Sequence, residues 1–213
     1  MLTINEIFYS IQGESSHAGH PCVFVRLTGC DLRCSWCDTS YAFDEGQKKS
    51  VEDVVTVVNS YGCSFVEITG GEPLLQSDVY PLIEHLLASG KTVLLETGGH
   101  IDISKVPSDV VKVVDIKCPG SGEVESNDLR NLERLAPHDE VKLVIRDRTD
   151  YEFARDLLRC HELHHRCSAV FLSPVHRVLE PRQLSKWILE DRLEVRVQVQ
   201  LHKYIWGDDA RGV

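Results

Sequence analysis

The sequence predicts an α/β fold: a partial, TIM-like parallel βα barrel of about six strands in which some crossover helices are reduced. Apolar, β-branched runs alternate with segments of helical spacing, a pattern typical of parallel strands joined by right-handed crossovers. The chain has 213 residues. Eight βα units need roughly 250, so a closed eight-stranded barrel does not fit. Polar, glycine-rich motifs follow most of the runs, at the strand ends where parallel α/β folds bind ligands.

Each element follows from its apolar or helical spacing. The candidate strands are Val23 to Thr28, Phe65 to Thr69, Thr92 to Glu96, Val111 to Asp115, Val141 to Ile145, Ala169 to Leu172 and Val195 to Leu201. The candidate helices are Val51 to Ser60, Val79 to Ser89, Tyr151 to Cys160 and Pro181 to Leu189. We expect Asp78 to cap the second helix and Gly90 to end it. The stretch from Cys118 to Asn127, which contains Pro-Gly-Ser-Gly, predicts an irregular crossover and therefore fewer than six full helices.

Residues 1–213 are predicted to form a single domain. No repeat, low-complexity segment or linker divides the chain, and 42% hydrophobic with 26% charged residues is an ordinary globular composition. We expect no secretory signal and no membrane association, because no apolar run approaches the ~20 residues of a membrane helix. The formal charge of −10 disfavours nucleic acid as a partner. Eight cysteines favour a reducing compartment, which we expect to be the cytoplasm.

Three cysteines stand close together just after the first candidate strand. Cys30, Cys34 and Cys37 have the spacing C-x3-C-x2-C. Three thiolates can hold a four-iron cluster and leave one iron open to a small molecule, whereas clusters used only for electron transfer usually take four protein ligands. Structural zinc also needs four ligands, and an extended strand would place Cys22 roughly 20 Å or more away. The spacing therefore favours a cluster and leaves zinc as the alternative.

With Trp36 directly before the last cysteine, this motif resembles the signature of the radical S-adenosylmethionine (SAM) superfamily. In that superfamily SAM chelates the fourth iron and is split to a 5'-deoxyadenosyl radical. The resemblance implies a 4Fe-4S cluster on the three cysteines, SAM as cofactor, and a radical SAM core. The Gly-Gly-Glu-Pro run is similar to the motif that meets the methionine amine of SAM. The implied SAM contacts are Trp36, Cys37, Asp38, Gly71, Glu72, Gly99, Asp115, Lys117 and Ser173.

Four further segments resemble the 7-carboxy-7-deazaguanine synthase family. They are 5–15, 24–30, 37–39 and 200–207, which together span essentially the whole chain. The resemblance implies short terminal extensions that bind a pterin, with substrate contacts at Ile11, Gln12, Gly13, Glu14, Arg26, Thr97 and His202. It also implies that Thr39 contributes to a Mg2+ site, since a hard cation with few protein oxygens is the usual form of Mg2+ binding. Ser15 stands where family members often have glycine, so the chain departs from the family pattern in the backbone of that turn.

The resemblance implies a defined reaction. Members of that family convert 6-carboxy-5,6,7,8-tetrahydropterin to 7-carboxy-7-deazaguanine with loss of ammonia, after abstraction of the C6 hydrogen. An electron donor such as flavodoxin or ferredoxin and a homodimeric assembly are implied as well. An activating enzyme that installs a glycyl radical on a protein, and a non-enzymatic zinc or Fe-S module, remain the alternatives.

Overall fold

The computed structural model describes residues 1–208 and 210–213, and its strands form one sheet. The strands are β1 (Leu2–Ile11), β2 (Pro21–Leu27), β3 (Gln47–Lys49), β4 (Phe65–Gly70), β5 (Thr92–Thr97), β6 (Val111–Ile116), β7 (Glu140–Ile145), β8 (Ala169–Pro174) and β9 (Arg196–Val197). Their order is β3-β1-β2-β4-β5-β6-β7-β8-β9. Strands β2 and β4 to β8 are six parallel strands, which β1 and β3 extend at one edge in antiparallel pairing. The predicted partial barrel of about six strands is confirmed.

Of the five helices in the described residues, the first four in the order given next lie where the spacing predicted them, and the fifth was not predicted. They are α1 (Val51–Ser60), α2 (Val79–Ala88), α3 (Arg148–His161), α4 (Pro181–Asp191) and a short α5 (Leu201–Trp206). The connections from β5 to β6 and from β6 to β7 contain only 3-10 helices, at Ile103–Lys105, Pro119–Ser121, Val124–Ser126 and Leu129–Glu133. The predicted reduction of the crossovers is therefore confirmed. In the described part of the chain, no helix combines the length and apolar character needed to cross a bilayer.

Alternate residues of the parallel strands serve two different environments. Val25, Ile68 and Leu95 are fully buried and pack with α1 and α2 through side chains such as Val54 and Leu82. Each such side chain contributes roughly 1.5–3 kcal/mol by leaving water. The residues between them point to the inside of the barrel, because side chains alternate across a strand. That inner face carries the polar residues of the molecule's large cavity.

Three local features differ from the sequence prediction. The predicted strand from Val195 to Leu201 is wrong, since β9 covers two residues and α5 begins at Leu201. Beyond β9 the chain binds other partners: the Leu201 N–H donates to the Gly13 carbonyl at 3.0 Å. Asp78 occupies the N-cap position of α2 without a capping hydrogen bond, because its carboxylate contacts the Met1 amino group instead. The long strand β1 was not predicted at all.

Candidate active site

A cavity of about 800 Å³ occupies the inside of the barrel towards the carboxyl ends of the parallel strands. Its wall brings together residues from both ends of the chain and from most of the strand ends. The sequence-predicted residues that line it are Ile11, Gln12, Gly13, Glu14, Arg26, Cys30, Cys34, Trp36, Cys37, Asp38, Thr39, Gly71, Glu72, Thr97, Asp115, Lys117, Ser173 and His202. Gly99 lies outside this wall, and Gly98 lines it instead.

The cysteine loop follows β2 and is held by backbone contacts. The Cys37 N–H donates to the Cys34 carbonyl at 3.1 Å, and the Ser35 N–H donates to the Ser121 carbonyl at 2.9 Å. Cys30, Cys34 and Cys37 are free and partly exposed. Residues 1–208 and 210–213 contain no group of three His, Cys, Asp or Glu side chains placed to hold one metal ion. Three thiols on one loop are the donor set of a four-iron cluster that leaves one iron open, whereas structural zinc takes four protein ligands.

Glu72 is fixed beside this loop by hydrogen bonds at both carboxylate oxygens. It accepts from the Leu74 N–H at 3.0 Å, from the Gly98 N–H at 2.7 Å and from the Thr97 hydroxyl at 2.8 Å. Burial raises the pKa of Glu72, and the Leu74 and Gly98 amides oppose that shift. Gly71 lies so close to the loop that a Cβ there would stand 3.0 Å from the Cys30 Cβ. Only glycine permits this approach of the Glu72 segment to the cysteines.

Asp115 and Lys117 continue the wall at the end of β6. The Lys117 ammonium lies 2.9 Å from Asp115 Oδ2. Among the described residues, Asp115 Oδ1 is a buried oxygen without a hydrogen-bond partner. A buried acceptor left unpaired is costly unless a ligand satisfies it. The three thiols, the carboxylate of Glu72 and this oxygen all line the same cavity.

A buried charge network lies across the inner face of the barrel. The Lys142 ammonium is 2.9 Å from Glu14 Oε2 and 3.7 Å from Asp115 Oδ2, and it also contacts Glu96. Burial opposes the charge on Lys142, but Glu14 and Glu96 outweigh it and raise the pKa of Lys142 well above its ordinary value. Burial likewise opposes ionisation of Glu96, yet the Lys142 ammonium lowers the pKa of that carboxyl. Lys142 and Glu96 therefore form a buried ion pair on the inner face.

The two ends of the chain meet at this network. The Gln200 amide donates to Glu14 Oε1 at 3.0 Å and to Asp38 Oδ2 at 2.8 Å. His202 packs on Gly13, where a Cβ would stand 2.9 Å from the His202 backbone nitrogen. Burial lowers the pKa of His202, so its imidazole is neutral near neutral pH. Ser15 stands where members of the resembled family often have glycine. It adopts a φ of 61°, a left-handed conformation that is uncommon for residues other than glycine.

Two further groups complete the wall. The Arg26 guanidinium donates to Glu6 Oε1 at 2.7 Å, and the Tyr41 hydroxyl donates to the same oxygen at 3.0 Å. The Thr39 hydroxyl lies 3.1 Å from Asp38 Oδ1, which places two hard oxygen atoms together at the cavity surface. Arg26 gives the cavity a cation, and the Thr39 and Asp38 oxygens are of the type that Mg2+ prefers.

Comparison with known proteins places the chain in one family. The Radical SAM superfamily profile matches residues 24–111. The 7-carboxy-7-deazaguanine synthase of Koribacter versatilis (strain Ellin345) is 48% identical over 226 residues, with 100% of each chain covered. That of Chlorobaculum tepidum is 47% identical and covers 100% of this chain and 97% of its own. This chain belongs to the 7-carboxy-7-deazaguanine synthase family.

Solved structures agree with the 7-carboxy-7-deazaguanine synthase assignment. QueE from Escherichia coli superposes with a TM-score of 0.78 at 26% identity, covering 94% of both chains. Streptococcus suis SuiB bound to S-adenosylmethionine shares the fold alone, with a TM-score of 0.58 at 13% identity over 80% of this chain and 48% of its own. Membership of the radical SAM superfamily implies a 4Fe-4S cluster and SAM as cofactors. The comparisons support the deazaguanine synthase prediction, not the glycyl-radical alternative.

Several cavity residues of this 7-carboxy-7-deazaguanine synthase family member were missed by the sequence reasoning. They are Glu67, Glu96, Lys142, Gln200 and Lys203. The first three lie within strands, whereas the residue-by-residue prediction concentrated on motifs that follow strands. Parallel strands buried on both faces are usually near-continuous apolar runs. A charge inside Phe-Val-Glu-Ile-Thr or Val-Lys-Leu-Val-Ile was therefore a readable signal of a polar barrel interior.

Proposed function

We propose that this chain converts 6-carboxy-5,6,7,8-tetrahydropterin to 7-carboxy-7-deazaguanine with loss of ammonia. One observation carries the proposal: a single cavity joins the three-cysteine loop to a mixed donor and acceptor surface built from residues 11–14, Gln200 and His202. The first part matches the radical SAM cofactors, and the second matches a polar heterocycle that carries a carboxylate.

When bound, the cluster and SAM supply a carbon radical able to abstract hydrogen. The chain's own residues supply orientation and exclusion of water. Cys30, Cys34 and Cys37 would hold the cluster, and Glu72 with Asp115 would bind polar groups of SAM. The hydrogen bonds to both oxygens of Glu72 keep that carboxylate in one position before any ligand arrives.

The opposite part of the cavity suits the pterin. Gln12 and Glu14 offer an amide and a carboxylate that can pair with an aminopyrimidine edge, and Arg26 is a cation for an anionic group. Neutral His202, packed on Gly13, can donate one hydrogen bond from one ring nitrogen and accept one at the other. Thr97 lines the same cavity and donates its hydroxyl to Glu72.

We also propose that Thr39 helps to bind Mg2+ for the substrate carboxylate. Its hydroxyl and Asp38 Oδ1 are adjacent at the cavity wall. The other Asp38 oxygen is already held by Gln200 and by the Lys203 ammonium, each at 2.8 Å. Mg2+ commonly takes few protein oxygens and completes its shell with water and substrate.

The proposal extends to cellular context. The exposed apolar side chains of α5, Tyr204, Ile205 and Trp206, support a homodimer in which a second copy covers them. Light scattering on the purified protein measures the assembly. A donor such as flavodoxin or ferredoxin would supply the electron, and the free thiols suit a reducing cytoplasm.

The deciding experiment is anaerobic turnover by reconstituted protein. The protein is incubated with SAM, dithionite, Mg2+ and the carboxytetrahydropterin, and products are identified by mass spectrometry. We expect 7-carboxy-7-deazaguanine. With deuterium at C6 of the substrate we expect label in the deoxyadenosyl group and none on carbon in the product, because the former C6 bears no hydrogen in the aromatic ring. Formation of deoxyadenosine without the deazaguanine product would reject the substrate assignment while leaving the superfamily intact.

A further inference from the structure

One carboxyl group of the cavity has no role in the reaction described above. Glu67 lies in the middle of β4, is 5% exposed and lines the cavity. In the sheet it is level with Phe24 on β2 and Leu94 on β5. A carboxyl group placed among apolar neighbours is expensive to bury. An apolar side chain would complete that layer more cheaply, which points to a function for the acid.

Glu67 has no cation of its own. The Lys142 ammonium contacts Glu14 and Glu96, and the Arg26 guanidinium contacts Glu6. In the described part of the chain, the one hydrogen-bond partner of Glu67 is the Gln12 amide, which donates from Nε2 to Glu67 Oε2. Carboxyl groups that share a buried site cannot all ionise. The acid without a cation is the one that retains its proton.

The charged and titratable groups around Glu67 support this reading. Glu96 faces it from β5, Glu14 from the segment after β1, and Arg26 and Cys22 from β2. Burial first, then Glu96 and Glu14, raise the pKa of Glu67 well above its ordinary value, against smaller opposing effects of Gln12 and Arg26. With its proton in place, Glu67 accepts from Gln12 at one oxygen and keeps an O–H for another partner.

On the basis of the proposed function, we propose that Glu67 determines substrate specificity by fixing the Gln12 amide and donating its O–H to an acceptor atom of the bound heterocycle. Gln12 is held at both ends, since its Oε1 also accepts from the Glu14 N–H at 3.0 Å. The cavity wall then presents one hydrogen-bond donor, the O–H of Glu67, beside the acceptor oxygens of Glu14. A pyrimidinone edge, which has a carbonyl next to N–H groups, is complementary to that order.

The inference has a pH signature. Raising the pH through the pKa of Glu67 removes the O–H and adds a third carboxylate beside Glu14 and Glu96. The donated hydrogen bond is lost, so substrate binding weakens on the alkaline side. Glu67→Gln retains an N–H donor and cannot ionise, so its KM should not show that alkaline rise.

The test measures kcat and KM for the pterin over a pH series, with melting temperatures for every variant. We expect Glu67→Leu to raise KM about tenfold, in line with one lost buried hydrogen bond. We expect Glu67→Gln to raise KM only about threefold and to abolish the alkaline rise. Glu190→Gln makes the same chemical change on the exposed surface of α4 and should keep the wild-type KM and pH profile.

The outcomes separate the inference from the proposed function. Wild-type turnover combined with unchanged KM in both Glu67 variants, or an alkaline rise that persists in Glu67→Gln, overturns the role of Glu67 alone. Absence of pterin turnover by the wild-type chain overturns the proposed function and this inference with it. If Glu67→Leu does not fold, the pH profile of Glu67→Gln still decides.

Discussion

The Thr97 hydroxyl lies 2.8 and 2.9 Å from the two carboxylate oxygens of Glu72. The two residues come from neighbouring strand ends, β5 and β4, and both are almost completely buried. The hydroxyl therefore acts with the Leu74 and Gly98 amides to fix the carboxylate beside the cysteine loop. The same residue was predicted from the sequence only as a substrate contact.

Removal of this hydroxyl should weaken SAM binding. Thr97→Val has a similar shape but leaves the buried carboxylate without its hydroxyl donor, so we expect the Kd for SAM to rise about tenfold. Equilibrium dialysis of the reconstituted protein measures it. Thr97→Ser restores the donor and should recover most of the affinity; equal weakening by Val and Ser would contradict the role of the hydroxyl.

The cluster assignment predicts a selective effect among the cysteines. Cys34→Ala removes one of the three clustered thiols and should abolish most of the bound iron and the visible absorbance of the reconstituted protein. Cys160→Ala, at an exposed cysteine in α3, is the matched control and should keep the wild-type iron content. Equal iron in both variants would reject the assignment of the loop.

The Mg2+ assignment predicts a change in metal dependence at Thr39. Thr39→Ala loses a hard oxygen from the cavity wall, so turnover should fall and the concentration of Mg2+ needed for half activation should rise about tenfold. Thr56→Ala, on the exposed face of α1, removes a hydroxyl remote from the cavity and serves as the control. An unchanged Mg2+ response in Thr39→Ala argues against the site.

The contact between the two ends of the chain predicts a steric effect. A Cβ at position 13 would lie 2.9 Å from the backbone nitrogen of His202, inside ordinary contact distance. Gly13→Ala should therefore displace α5 from residues 11–14 and raise the KM for the pterin about tenfold or more. Steady-state kinetics measure the effect. A wild-type KM would show that this contact does not shape the substrate site.

Much of this architecture could be read from the sequence, for particular reasons. Six strands and four helices were predicted because their apolar spacing is set locally and matches their burial. Strand β1 was missed because its residues were interpreted as a binding motif. The segment 195–201 alternates as a strand would, yet Val197 and Val199 are exposed, and the contact of Leu201 with Gly13 directs the chain into α5. Such long-range contacts leave no local pattern.

The candidate site also contains residues that the sequence predicted and residues that it did not. Glycines, cysteines and acidic residues at strand ends carry recognisable spacing, and they converge on the cavity. The ion pairs of Lys142 with Glu14 and Glu96 join three segments that are distant in sequence. No local sequence motif could therefore predict them. Gln200 was part of a recognised segment, but its bridge from Glu14 to Asp38 depends on the path of α5.

One stability prediction concerns the end of α3. Glu162 follows that helix with a φ of 49°, a left-handed conformation that glycine adopts without strain. Glu162→Gly should raise the free energy of unfolding by about 1 kcal/mol. Glu152→Gly, exposed within the same helix, should lower it by about 1 kcal/mol. Chemical denaturation measures both, and destabilisation by Glu162→Gly would contradict the prediction.

The alternation of apolar and charged side chains along the parallel strands also favours the correct register of the strands in the sheet. If a strand slipped by one position against its neighbour, every side chain on it would exchange faces. Glu67 or Lys142 would then be driven against the apolar faces of the helices, with no water and no opposite charge to receive it. The residues that equip the cavity for chemistry thereby penalise mispaired strands during folding.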